Sequence, residues 1–98
     1  MHKMLVLYRP PASPDMFRRY YLDKHLPLAA QLPGLKASRH SFETGAGSPY
    51  FCVWEGEFES EAALGAAMQS PEGQRVSADV GNYADGGVVI LQYSPIEA

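Results

Sequence analysis

Cysteine is nearly absent: Cys52 is the only one in the chain. That excludes an internal disulfide and any zinc site built on several cysteines. A reduced thiol in a cytoplasmic protein is the reading it fits. Basic residues are also few, eight Lys and Arg against eleven Asp and Glu, for a formal net charge of −3. Only Arg18 and Arg19 are adjacent. Binding to a nucleic-acid backbone needs a basic footprint, and none is present. No apolar run approaches the length that spans a bilayer, so no membrane partner is expected. "MHKMLVLYRPP" opens on a short apolar run but lacks a signal-peptide cleavage region, and it reads as a strand. The three histidines, His2, His25 and His40, are dispersed, with neither His-x-His nor His-x3-His spacing. "TGAGSP" has two glycines but no following helix or lysine, so it reads as a loop rather than a phosphate cradle. No cofactor or metal is expected from these patterns.

What remains is an ordinary globular balance, 46% hydrophobic and 19% charged over 98 residues, and one domain over residues 1–98 is expected. A domain this small buries a limited share of its surface, and a second subunit would add stability. Lys3 to Tyr8, "KMLVLY", is a short apolar strand ended by Pro10 and Pro11. Ser13-Pro14-Asp15 is a helix start: a serine oxygen to accept free amide protons, a proline with preset φ, a carboxylate facing the helix dipole. The helix runs to about Lys24, or on to Leu32, before Leu32-Pro33-Gly34 stops it. Leu35 to Glu43 alternates as a strand. Tyr50 to Phe58, "YFCVWEGEF", is an aromatic-rich strand, and with the preceding one it forms a hairpin. Ser60-Glu61 opens an alanine-rich helix that can approach its neighbour closely. Ser70-Pro71-Glu72 opens a third, running to about Tyr83. Asp85-Gly86-Gly87 is a turn, Val88 to Tyr93 the last strand, and Pro95 to Ala98 a frayed tail.

The order β-α-β-β-α-β predicts an α+β, ferredoxin-like arrangement, an antiparallel sheet with its helices on one face. Alternation puts Phe51 and Val53 on one side of the third strand and Tyr50, Cys52, Trp54 and Phe58 on the other. Both sides are apolar. Helices cover one, and a free apolar face is more than monomers tolerate, so a homodimer through the sheet face is expected.

Phe17, Tyr21, His25 and Leu28 share one stripe of the first helix, which aims His25 at the sheet. An imidazole there titrates near neutrality and can give or take a proton. It can equally be a packed histidine bonded to a backbone carbonyl. Pro27 removes a helical hydrogen bond, clashes with the carbonyl of Asp23 and pushes Leu26 toward extended geometry, so a kink near His25 is predicted. A kink would open a gap between helix and sheet; a plain helix end is the other reading. His40 lies on a strand face with Lys36, Ser38 and Phe42, either as a pocket residue or an ordinary strand histidine. His2, near the terminus, is expected to be solvated. Cys52 reads as a small buried hydrophobe. The tyrosines read as core or rim residues. Asp79 is either a surface charge or a partner for the kinked helix end.

"YRPPASPDMFRRYYLDKHLPLAAQLPGL" resembles the opening of EthD-type proteins, named for an ethyl tert-butyl ether degradation system. Their pattern is a strand, an aromatic-bearing helix, His-x-Pro-Leu and a Leu-Pro-Gly-Leu exit. Here these are Tyr20, Tyr21, His25, Pro27, Leu28 and Leu32 to Leu35. "SPEGQRVSADVGNYADGG" resembles the same family's stretch before its last strand. The resemblance implies a dimeric α/β barrel with helices outside. Family members are often labelled reductases, which implies an oxidoreductase role in catabolism. Similar barrels include lactone isomerases, polyketide cyclases, decarboxylases and monooxygenases. The matched His25 is the residue whose role carries over.

Three functions follow as expectations. The first is a cofactor-free pocket for a small hydrophobic cyclic metabolite, with His25 as acid/base or anchor and Tyr21, His40 and Trp54 as substrate-binding residues. The second is a non-catalytic accessory barrel, which predicts no cavity of ligand size, roughly 300 Å3 or more. The third is heme or oxygen chemistry, with His25 or His40 as axial candidates.

Overall fold

The computed structural model describes all 98 residues. Four strands form one antiparallel sheet: β1 (His2–Tyr8), β2 (Ala37–Ser41), β3 (Cys52–Phe58) and β4 (Val88–Tyr93), in the order β2-β3-β1-β4. The helical segments are α1 (Pro14–Tyr20), α2 (Leu26–Ala29), α3 (Glu61–Gln69) and α4 (Pro71–Asp79). This is the ferredoxin-like α+β topology, with both crossovers on one face. β2 and β3 are shorter than their alternation predicts. Residues flanking "TGAGSP" leave the ladder before the loop begins, so Phe51 lies outside β3 and packs edge-on against Phe17, 5.1 Å between ring centroids.

Alternation sorts the two faces. Met4, Val6 and Tyr8 of β1, with Cys52, Trp54 and Phe58 of β3, are buried beneath the helices. β4 is paired to β1 so that Val88 and Ile90 stand beside Tyr8 and Val6 on this same face. The other face carries Leu5, Leu7, Val53, Val89, Leu91 and Tyr93 in register. Leu91 is 48% exposed and Tyr93 41%, so this apolar patch is uncovered in the single chain. Beside it, Arg39 bonds Glu55 and Glu57, and Lys3 lies 3.7 and 3.6 Å from the same carboxylates. That open side is therefore half charged, where its sequence reads as apolar.

The chain does not break at Pro27. Tyr21–His25 forms one wide turn in which the amide of Leu26 bonds the carbonyl of Tyr21, five residues back. One extra residue in the turn lets the helix pass a nitrogen that cannot donate, so Leu26 stays helical at φ −58°, ψ −40° instead of turning extended. The predicted kink is corrected to a π turn, and His25 is its last residue.

α3 and α4 are joined by Ser70, whose hydroxyl donates to the carbonyl of Ala67 and accepts from the amide of Gly73. Gly73 is held so close that a Cβ there would lie 2.2 Å from the carbonyl oxygen of Ala67. α4 thereby folds back sharply and ends on Asp79, which meets the π turn at His25, and a short 3₁₀ turn, Val80–Asn82, follows. No helix is long and apolar enough to cross a membrane.

Candidate functional site

His25 ends the π turn facing α4, and only 4% of its surface is exposed. Its Nδ1 lies 3.0 Å from Oδ2 of Asp79. The other carboxylate oxygen, Oδ1, accepts from the Tyr20 hydroxyl at 2.6 Å and from Nδ2 of Asn82 at 2.9 Å. Asp79 is thus saturated by three donors from two separate helical segments. Of the two readings of Asp79, the helix-end partner is the one found, and the surface charge is not.

The ionisation of this group follows from its surroundings. Burial pushes the Asp79 carboxyl up, but the bonds from Tyr20, Asn82 and His25 outweigh it and hold the carboxyl below its ordinary value. Burial lowers the His25 imidazole below its ordinary value, while the bond to Asp79 and its charge offset part of the effect. At neutral pH the carboxylate is charged and the ring neutral. The proton then sits on Nδ1, donated to Asp79, and Nε2 carries a free lone pair. The one hydrogen bond of the His25 ring is that from Nδ1 to Asp79.

His25 also lines a cavity of about 200 Å3 between helices and sheet. Met4, Val6, Tyr8, Ala29, Leu32, Trp54 and Val76 form most of its wall, and Ser77 is the other polar lining residue. Ser77 of α4 and Ile90 of β4 are exposed, so the mouth lies between those elements. The volume is below the roughly 300 Å3 of a drug-sized site. It exceeds the roughly 150 Å3 that admits benzene. Trp54 keeps its place because Gly56 has no side chain: a Cβ at Gly56 would meet the six-membered ring of the indole at 2.4 Å.

Of the residues singled out in the sequence, His25 and Trp54 line the cavity together. Tyr21 stacks on His25 at 5.7 Å between ring centroids but is wholly buried outside the cavity wall. His40 lies on the helix side of edge strand β2, against Tyr21 and Phe42, exposed and outside the cavity. His2 is buried, not solvated: its ring nitrogens bond Ser94 and Gln92 because β4 runs alongside the start of β1. No three His, Cys, Asp or Glu side chains cluster as a metal site would require.

A second buried polar group adjoins the first. The Tyr8 and Tyr83 hydroxyls bond each other at 2.7 Å, and the Tyr21 hydroxyl is buried without a partner. Burial pushes the Tyr8 phenol up to about 12 and the Cys52 thiol up to about 11, and it raises Tyr21 and Tyr83 as well. All four stay protonated at neutral pH. Reading the sequence alone gave Asn82 and Gly56 no role, and it took Tyr20 only as a tyrosine of the family pattern, at the core or rim. Asp79 and Asn82 stand three apart, a spacing that puts both on one helical face and could have suggested the pair.

The sequence pattern described as EthD domain matches residues 9–87. The chain belongs to the EthD family. An uncharacterised 11.0 kDa protein from the thcB-thcC intergenic region of Rhodococcus erythropolis is 38% identical over 94 residues, covering 93% of this chain and 91% of that protein. An EthD family protein from Bacillus halodurans superposes with a TM-score of 0.91 at 23% identity, over 98% of this chain and 99% of the other. A dimeric ferredoxin-like protein of unknown function from Thermobifida fusca does so with a TM-score of 0.73 at 17% identity, over 96% and 90%. Both likenesses establish the fold. The His-x-Pro-Leu segment of this EthD chain, His25 to Leu28, starts on the last residue of the π turn and continues into α2, and its His25 meets Asp79.

Proposed function

We propose that the chain acts as a single EthD-type unit over residues 1–98 that binds a small, mostly apolar ring compound in the cavity, with Nε2 of His25 as the proton acceptor or polar anchor. One observation carries this reading: an imidazole held at Nδ1 by the Asp79 carboxylate, with its Nε2 in no hydrogen bond, lines a cavity whose only other polar lining residue is Ser77. An imidazole lowered by burial is neutral at pH 7 and free to accept a proton, as a general base must be. No step of this reading calls on a cofactor. Tyr21 supports the ring of His25, and His40 has no part in binding.

The reading includes a homodimer through the open sheet face. The exposed patch of Leu5, Leu7, Val53, Val89, Leu91 and Tyr93 supports it, as does the dimeric state of the Thermobifida fusca neighbour. Light scattering at micromolar concentration is expected to give twice the chain mass, and Leu91→Glu to halve it; a monomeric wild type contradicts the dimer. A cytoplasmic setting is supported by the single reduced thiol.

A second reading is a non-catalytic accessory protein, favoured by a cavity that at about 200 Å3 falls short of the roughly 300 Å3 of a drug-sized site and would at most hold a small ligand without converting it. A screen of monocyclic compounds by melting temperature separates the outcomes. Compounds that stabilise the wild type and lose that effect in His25→Asn support the site. A screen in which nothing raises the melting temperature removes it. Ligands recovered unchanged after long incubation favour the accessory reading.

A further inference from the structure

Size, charge and hydrogen-bond direction together narrow the ligand, given the pocket reading above. At about 200 Å3, the cavity holds one ring with one or two small substituents. A fused pair of rings exceeds it. No Lys or Arg lines it, and the Asp79 carboxylate is bonded to the imidazole on its wall. An anionic ligand would lose its hydration with no cation to meet it, and it would face a like charge. An ammonium would be stripped of water against Met4, Val6, Leu32 and Val76 with no carboxylate on the cavity wall to meet it. The polar contact has a fixed direction. Nδ1–H is committed to Asp79, so Nε2 can only accept, and the ligand must bring the donor.

We infer that the cavity takes an uncharged single-ring hydroxy compound, a phenol or a cyclic enol, whose O–H donates to Nε2 of His25. Transfer along that bond is uphill from the neutral pair, since a phenol titrates at about 10 and burial lowers the imidazole, and a cyclic enol, being more acidic, meets less of that barrier. The O–H bond breaks, the proton forms an N–H bond at Nε2, and the electron pair remains on the ligand oxygen. The imidazolium so formed lies between the Asp79 carboxylate and the ligand oxyanion, and both stabilise it. The step changes no oxidation state and reverses by return of the same proton. Tyr20 and Asn82 are positioning residues here, since they hold the carboxylate that fixes the ring.

Trp54 is the only tryptophan and lines the cavity, so its fluorescence reports occupancy. The probes are 4-methylphenol, toluene and 4-methylbenzoate, titrated into the full-length protein at pH 7.5, with 15N spectra of the His25 ring recorded alongside. The expected result is 4-methylphenol binding about tenfold more tightly than toluene, the increment of one good hydrogen bond. The Nε2 resonance moves with 4-methylphenol and not with toluene, and 4-methylbenzoate does not bind. Equal binding of 4-methylphenol and toluene with a still Nε2 resonance overturns the ligand class and leaves the pocket standing. Binding of 4-methylbenzoate as tight as that of 4-methylphenol also overturns the class. Failure of all three to bind overturns the class and the pocket reading beneath it.

Discussion

Two buried polar groups lie side by side under the helices and do opposite things. Tyr8, Tyr83, Tyr21 and Cys52 carry four acidic protons, yet burial raises all four pKa values and the two bonded hydroxyls satisfy each other. His25 and Asp79 are buried in the same layer, but one is ionised by three donors and the other keeps a free lone pair at a cavity wall. Burial by itself silences acid–base chemistry. It becomes useful only where a fixed charge is stabilised and one acceptor is left unspent.

The contrast can be broken from either side. The largest effect is expected for Asp79→Ala, which strips the partner from Tyr20, Asn82 and His25 together. Loss of bonds to a charged group should cost about 2–3 kcal/mol, read as a fall in the denaturant midpoint. Gly56→Ala should follow at about 1–3 kcal/mol, because its Cβ displaces the Trp54 ring into the cavity and overpacks it. That variant should also weaken every cavity ligand alike, measured by Trp54 fluorescence. Tyr8→Phe leaves the Tyr83 hydroxyl without its partner and should cost about 1 kcal/mol. Tyr21→Phe removes a hydroxyl that bonds nothing, so its midpoint should equal or slightly exceed wild type.

Acid should expose the difference as well. Both His25 and Asp79 have folded pKa values below their unfolded ones, so the unfolded chain binds protons more readily. The contribution of His25 is complete above its ordinary 6.5 and is lost as pH falls through its lower folded value. That of Asp79 is complete above its ordinary 3.8 and is lost below it in the same way. The phenols and the thiol contribute nothing in that range. Urea midpoints between pH 8 and pH 4 should therefore decline toward acid, and the decline should be steeper in Asp79→Ala, where His25 loses the bond and charge that offset part of its lowering.

The fold was largely legible in the chain. A short apolar run marks β1, alternation marks β2 and aromatic content marks β3, and Ser-Pro-Asp and Ser-Pro-Glu mark the starts of α1 and α4, where prolines indeed occupy the first turn. His25 facing the sheet follows from helical periodicity. The π turn does not, since pattern rules treat Pro27 as a break and have no provision for a turn one residue wider. The site's second half was harder. Asp79 is 54 residues from His25 and Tyr20 is 59 from Asp79, so their meeting depends on how closely α4 folds back on α3 at Gly73. The charged half of the open sheet face was missed because alternation reveals sides, while the Arg39–Glu55–Glu57 cluster depends on cross-strand register.

The central claim is that Nε2 of His25 is an unprotonated acceptor facing the cavity, and a 15N titration of the His25 ring tests it most directly. The account predicts Nδ1–H and a bare Nε2 at neutral pH, a midpoint below 6.5, and a still lower midpoint in Asp79→Asn, where the carboxylate charge is gone. A midpoint above 6.5, or a ring carrying its neutral-form proton on Nε2, would contradict it.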